Sequence, residues 1–195
     1  EIASMFSGCS SLKSIPPLNF SAATGLARDA FSGTALTALP DLDLRSLTPN
    51  VQGGYPIFGG STANNLAAIG AVNLSSAVTL AGFFGGLAKL TSIGPITTTG
   101  TLTSTSSMFS NCTLLPAIPA FNTSNVTAAG SMFSGCAALA EVPALDLAKA
   151  TSLANAFAGC TSLTSILATG IKVTFSIANC SLGAAALNTL FTNLG

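Results

Sequence analysis

Residues 132–139 read MFSGCAAL, and close variants stand at 5–12 (MFSGCSSL), 108–115 (MFSNCTLL) and 156–163 (AFAGCTSL). A string that recurs at a period of roughly 20–50 residues marks one supersecondary unit of an array, and it outranks any local reading. Aligned on the phenylalanine, the series runs Phe6, Phe31, Phe58, Phe84, Phe109, Phe133 and Phe157, at spacings of 25, 27, 26, 25, 24 and 24 residues. An apolar residue precedes each one: Met5, Ala30, Ile57, Phe83, Met108, Met132 and Ala156. Two positions after it stand Gly8, Gly33, Gly60, Gly86, Asn111, Gly135 and Gly159. Glycine, and next to it asparagine, enters the left-handed region at least cost. The pattern therefore predicts a short helical turn, as in LARDAF, TLAGFF and SLANAF, stopped by a left-handed residue.

After each stop come two apolar anchors three residues apart: Leu12 and Ile15, Leu36 and Leu39, Leu66 and Ile69, Leu90 and Ile93, Leu115 and Ile118, Leu139 and Val142, Leu163 and Ile166. Pro16, Pro40, Gly70, Gly94, Pro119 or Pro143 follows the second anchor and predicts a corner. Then comes an alternating stretch (LNF, LDL, VNL, LDL) with the period of a strand. No unit this small buries its apolar face alone, so neighbours must stack. The expectation is a right-handed, leucine-rich-repeat-like solenoid of short β-strands and short helical turns. It has about seven repeats starting near 5, 30, 57, 83, 108, 132 and 156, and occupies residues 1–175.

The motifs MFSGCSSL, MFSNCTLL, MFSGCAAL and AFAGCTSL, with FNTSNVT at 121–127, resemble the BspA-like leucine-rich repeats of bacterial surface and phage proteins. The resemblance spans nearly the whole chain and is weaker in the middle, where Thr34, Ser61 and Leu87 replace cysteine. It implies a solenoid used for adhesion or recognition, without a shared catalytic residue. The tail (residues 176–195) departs from the repeat and resembles segments that close arrays in phage tail-fibre and other virion proteins. Ser181 reads as an N-cap of a helix ending at Gly195, with Leu182, Ala186, Leu187, Leu190, Phe191 and Leu194 as its apolar stripe. Its expected job is to cap the array.

Composition bounds the chemistry. Apolar residues make up 49% of the 195 and charged residues 6%, against roughly 25% charged in an ordinary soluble domain. Six basic residues balance six acidic ones, so nothing here attracts nucleic acid or an anionic membrane. There is no histidine, which removes Ser-His hydrolysis and imidazole zinc sites. The uncharged run from Leu66 to Ala88 falls into repeat register, so membrane insertion is not expected. The chain opens Glu1-Ile2-Ala3-Ser4 without an initiator methionine or signal peptide, pointing to processing or to a longer parent chain.

Candidate chemical residues are absorbed by the repeat. Cys9, Cys112, Cys136 and Cys160 share one repeat position, without the close pairs of a zinc site, and are expected as free thiols filling the core. Gly8, Gly33, Gly60, Gly86, Gly135 and Gly159 are structural. Asn19, Asp43, Asn73, Asn122 and Asp146 fall at another shared position, with Thr97 in the fourth turn. Facing inward, they bond backbone of the next rung; facing outward, they offer acceptors to sugar hydroxyls or calcium. Asp41 and Asp43 raise a glycosidase reading that lacks the aromatic cleft such chemistry needs. Thr37, Thr91 and Thr164 lie on a flat, weakly polar strand face suited to weak multivalent contact. The six Asn-x-Ser/Thr acceptors mostly coincide with repeat positions.

These residues lead to a non-enzymatic module with no cofactor and no metal. It is expected outside the cell on a virion surface, as a phage tail fibre or similar particle protein mediating attachment or assembly. A secreted bacterial cell-surface adhesin is the alternative. Expected partners are protein neighbours in an assembly and cell-surface glycan or protein receptors, in a homo-oligomer or other multi-copy arrangement.

Overall fold

The computed structural model describes residues 3–22, 29–46, 57–58 and 65–194. Among them are eight two-residue strands: β1 (Ala38–Leu39), β2 (Leu42–Asp43), β3 (Ala68–Ile69), β4 (Val72–Asn73), β5 (Ser92–Ile93), β6 (Ile96–Thr97), β7 (Glu141–Val142) and β8 (Ser165–Ile166). One helix, α1 (Ala184–Asn193), follows. All pairing is parallel, in small sheets of order β1-β3-β5, β2-β4-β6 and β7-β8. Leu39, Ile69 and Ile93 are in register, as are Asp43, Asn73 and Thr97. The second anchor and the alternating stretch thus form two separate ladders, broken at the corner. Pro40 has no N–H to extend a ladder there. A Cβ on Gly70 would stand 2.4 Å from Asp41 Oδ1, and one on Gly94 2.7 Å from Ala71 N. At Gly70 and Gly94 the corner therefore demands glycine.

The turns around the phenylalanines are not helical. Left-handed residues occur on both sides of the ring: Ser4 and Gly8, Asp29 and Gly33, Gly82 and Gly86, Ser107 and Asn111, Ser131 and Gly135, Asn155 and Gly159. A reversal every fourth residue stops a helix from propagating. Alternate N–H groups close tight local turns instead, as in Ser134 N to Ser131 O and Cys136 N to Phe133 O. The others cross to the next segment, all in one direction. Leu80, Gly82, Phe84 and Gly86 donate to Ser104, Ser106, Met108 and Ser110. Thr105, Ser107, Phe109 and Asn111 donate in the same way to Ala128, Gly130, Met132 and Ser134. The second left-handed residue matches the glycine reading, whereas the first was not anticipated. Gly60 lies outside the described residues.

The core follows from this register. Phe6, Phe31, Phe58, Phe84, Phe109, Phe133 and Phe157 form one column, with successive centroids 5.1–6.1 Å apart and near-parallel rings. Each buried ring contributes about 1.5–3 kcal/mol by transfer, more than any single hydrogen bond at about 1 kcal/mol. Leu36, Leu66, Leu90, Leu115, Leu139 and Leu163 are buried beside the column.

At the far end Phe175 meets Phe157 edge-on at 5.6 Å, and α1 packs on β8. Two expectations about the tail need correction. Helix α1 begins at Ala184 with Gly183 at its N-cap and no side-chain cap. Ser181 instead donates its hydroxyl to Thr161 O, 2.6 Å away, and its N–H to Leu163 O, tying the tail to the preceding segment. Of the apolar stripe only Leu190 is fully buried, while Phe191 is 63% exposed. The helix meets its neighbour along a narrow line, so a stripe read from periodicity is wider than the face actually covered.

Candidate functional surface

The Asn/Asp row forms a line of local turns. Asn19 Oδ1 accepts Ser21 N–H at 2.9 Å, and Asp43 accepts Arg45 N–H at 3.3 Å. Asn73 accepts Ser75 N–H at 3.2 Å, Asn122 accepts Ser124 N–H at 3.0 Å, and Asp146 accepts Ala148 N–H at 3.0 Å. Each is an Asx turn, the side chain standing in for backbone two residues on. Of the two orientations left open by the sequence, these side chains take the outward one, and the backbone partner of each is local rather than in the next segment. Their sequence neighbours Leu42, Leu44, Val72, Leu74, Leu145 and Leu147 are all buried. Asn19, Asn122 and Asp146 are exposed, and Asp43 and Asn73 half-buried.

At one end of the row Pro17, Asn19, Ser21, Asp41, Asp43 and Arg45 line an open depression. Arg45 Nε lies 2.9 Å from both carboxylate oxygens of Asp43. That hydrogen bond to Arg45 holds the Asp43 carboxyl below the usual carboxylate range and pushes the guanidinium up. Asp41 Oδ1 accepts Ala71 N–H at 2.7 Å, across two segments. The two aspartates are thus engaged with different partners. Arg45 was not singled out from sequence, although its place two residues after Asp43 was a readable signal.

The threonines on the flat face act as stitches. Thr91 Oγ1 donates to Ala67 O at 2.9 Å and Thr164 Oγ1 to Ala140 O at 3.0 Å. Thr103, Thr127 and Thr151, at intervals of 24, do the same to the segment before. Thr37 is exposed, and its carbonyl accepts from Ala67 N. Thr91 and Thr164 therefore offer a partner only their remaining lone pairs. The exposed contacts of Lys89 with Asn65 and of Lys149 with Asn125 join neighbouring segments as well.

Cys112, Cys136 and Cys160 are fully buried, and each Sγ donates to the carbonyl of a phenylalanine in the preceding segment, Phe84, Phe109 or Phe133, at 3.1 Å. Burial pushes the Cys112 thiol up to about 12 and Cys160 to about 11, and raises Cys136 and Cys180 as well. Neutral, enclosed thiols are poor nucleophiles and poor metal ligands. All five cysteines are free. Cys9 is exposed rather than part of the buried column, because its segment has a neighbour on one side only among the described residues.

Among the described residues, no group of three or more His, Cys, Asp and Glu is placed to hold a metal ion, and no helix is long and apolar enough to cross a membrane. No curated protein and no solved structure matches the chain. A family model described as "Mycoplasma protein of unknown function, DUF285" matches residues 55–169, more than half of the sequence and the part in which the register is most regular. The chain belongs to the DUF285 family.

Proposed function

We propose that this chain is a non-catalytic, leucine-rich-repeat-like solenoid that works by attachment or assembly on the surface of a virion, as part of a tail fibre or comparable particle protein. In this reading residues 1–175 are about seven right-handed repeats and residues 176–195 their cap, and many copies act together. One observation carries it: most side chains with chemical potential are engaged in hydrogen bonds within the chain itself. The buried thiols bond phenylalanine carbonyls, the threonines bond the preceding segment, and the Asn/Asp side chains close turns. What is left to a partner is an extended, charge-poor surface whose contacts gain strength through copy number.

A second reading, a secreted bacterial cell-surface adhesin, is favoured by the family description, which refers to a Mycoplasma protein. Gold-labelled antibody against the chain separates the two. Label on purified particles, with antibody blocking their adsorption, supports the virion reading. Label on intact bacterial envelopes supports the adhesin. Label at neither place, or turnover of a bound sugar that Asp43→Asn abolishes, sinks the proposal.

A further inference from the structure

Asn19, Asp43, Asn73, Thr97, Asn122 and Asp146 occupy one position in successive segments, and the strand registers align Asp43 with Asn73 and Asn73 with Thr97. Parallel neighbours lie about 4.8 Å apart, close to the rise of one sugar in an extended β-linked glycan. In each Asx turn Oδ1 is committed to the backbone. That leaves Nδ2 of Asn19, Asn73 and Asn122 and Oδ2 of Asp146 without a hydrogen-bond partner among the described residues. The free amides recur at every second segment. In a β-1,4-linked chain successive sugars turn over, so that like groups also recur at every second unit.

The flanks of the row suit the same ligand. On one side Pro17, Ala71, Pro95 and Ala120 supply apolar surface for sugar C–H groups, interrupted by Asp41 in the second segment, and on the other Ser21 and Ser75 add hydroxyls, while the Ser124 hydroxyl donates to Asn122 Oδ1 at 2.8 Å. Charge narrows the class further. Asp41, Asp43 and Asp146 lie on this face, and the nearby Arg45 is tied to Asp43, so a polyanionic glycan is repelled. The depression between Asn19 and Arg45 gives a chain end a place to lie.

We infer that this row is a binding site for one extended chain of a neutral β-1,4-linked polysaccharide, running across the segments with about one sugar to each. The inference rests on the attachment reading and names its ligand. A site that reads one unit per repeat gains contacts with length, as nucleic-acid-binding repeats do.

The test is calorimetric titration of the purified chain with β-1,4-linked glucose and N-acetylglucosamine oligomers of two to eight sugars, with a polyuronate as the anionic control. Affinity is expected to climb with length and level off near six sugars, one for each residue of the row. The double variant Asn73→Asp with Asn122→Asp keeps Oδ1, and so both turns, but removes two of the three free amides. It is expected to weaken binding of the longest oligomer about tenfold or more, at unchanged melting temperature. Glu141→Gln, on the strand β7, should leave binding unchanged. Affinity independent of length, tighter binding of the polyuronate, or indifference to the double variant overturns the inference. No binding at all, combined with antibody that still labels particles or cells and blocks their attachment, removes the glycan site while leaving the attachment reading in place.

Discussion

Residues 5–9 and 132–136 are the same five amino acids, Met-Phe-Ser-Gly-Cys, in two different environments. Their backbones agree: Ser4 and Gly8 have φ of 54° and 76°, Ser131 and Gly135 of 55° and 77°. Their burial does not. Met132 and Phe133 are 1% exposed and Cys136 is closed off entirely, whereas Met5 is 53% exposed, Phe6 half-buried and Cys9 exposed. The difference is one neighbour. Phe133 is stacked between Phe109 and Phe157, while among the described residues Phe6 meets Phe31 alone. Local sequence sets the turn, and the adjoining segment turns that geometry into stability.

The largest break in this comparison should come from the rings. Phe133→Ala removes a fully buried ring and is expected to cost about 3–5 kcal/mol, and Phe6→Ala about half of that. Denaturant titration measures both, and equal losses would show that the second neighbour adds nothing.

Alkaline pH should separate the regions next. Unfolded thiols ionise near 9.0, while folded Cys160 and Cys112 keep their protons to about 11 and about 12. The stability held by neutral thiols is whole below that lower value and is lost as pH rises through the window, at about 1.4 kcal/mol per pH unit for each thiol. Replacing Cys112, Cys136 and Cys160 by alanine should flatten the profile. A profile unchanged by the triple variant would refute the thiol origin.

A smaller effect sharpens the role of the left-handed stop. Gly8→Ala and Gly135→Ala each introduce roughly 1–2 kcal/mol of backbone strain. A Cβ on Gly135 would also stand 2.5 Å from Asn111 Oδ1, whereas one on Gly8 meets nothing within 4 Å. Thermal melting should therefore rank Gly135→Ala as the more damaging. The reverse order would mean that the neighbouring segment gives way freely. Finally, an alkylating reagent should modify Cys9 in the native protein and Cys136 only on unfolding, without altering the melting temperature. Equal labelling rates would contradict the difference in burial.

The phenylalanine period and the glycine two residues later were legible because each answers a local demand that one residue type meets. Ser107 and Ser131 were not legible as left-handed positions. Serine carries no such preference, and the requirement arises only when alternate N–H groups must reach the next segment. Asn122 could be seen as a repeated polar position, but its partner, two residues ahead, depends on which way the side chain faces. The threonine stitches were missed for a related reason. Thr151 looks solvent-facing in its own segment, and only the carbonyl of Thr127 alongside gives its hydroxyl a use. In the tail, Phe191 obeys the helical period yet stays outside, because periodicity gives a direction and says nothing of how wide the covering surface is.

The one-way hydrogen bonds beside the phenylalanine column have an electrical consequence. Each peptide unit carries a dipole of about 3.5 D, and aligned units add. In the phenylalanine turns between Leu80 and Gly135 the crossing N–H groups point toward the later segment, whereas those of Thr91, Gly94, Thr103 and Thr127 point toward the earlier one. A chain with six positive and six negative side chains thus carries two opposed rows of aligned dipoles that formal charge does not reveal. Opposed rows cancel at a distance, so each side of the segments keeps a local field while the molecule as a whole gains no strong polar axis from them.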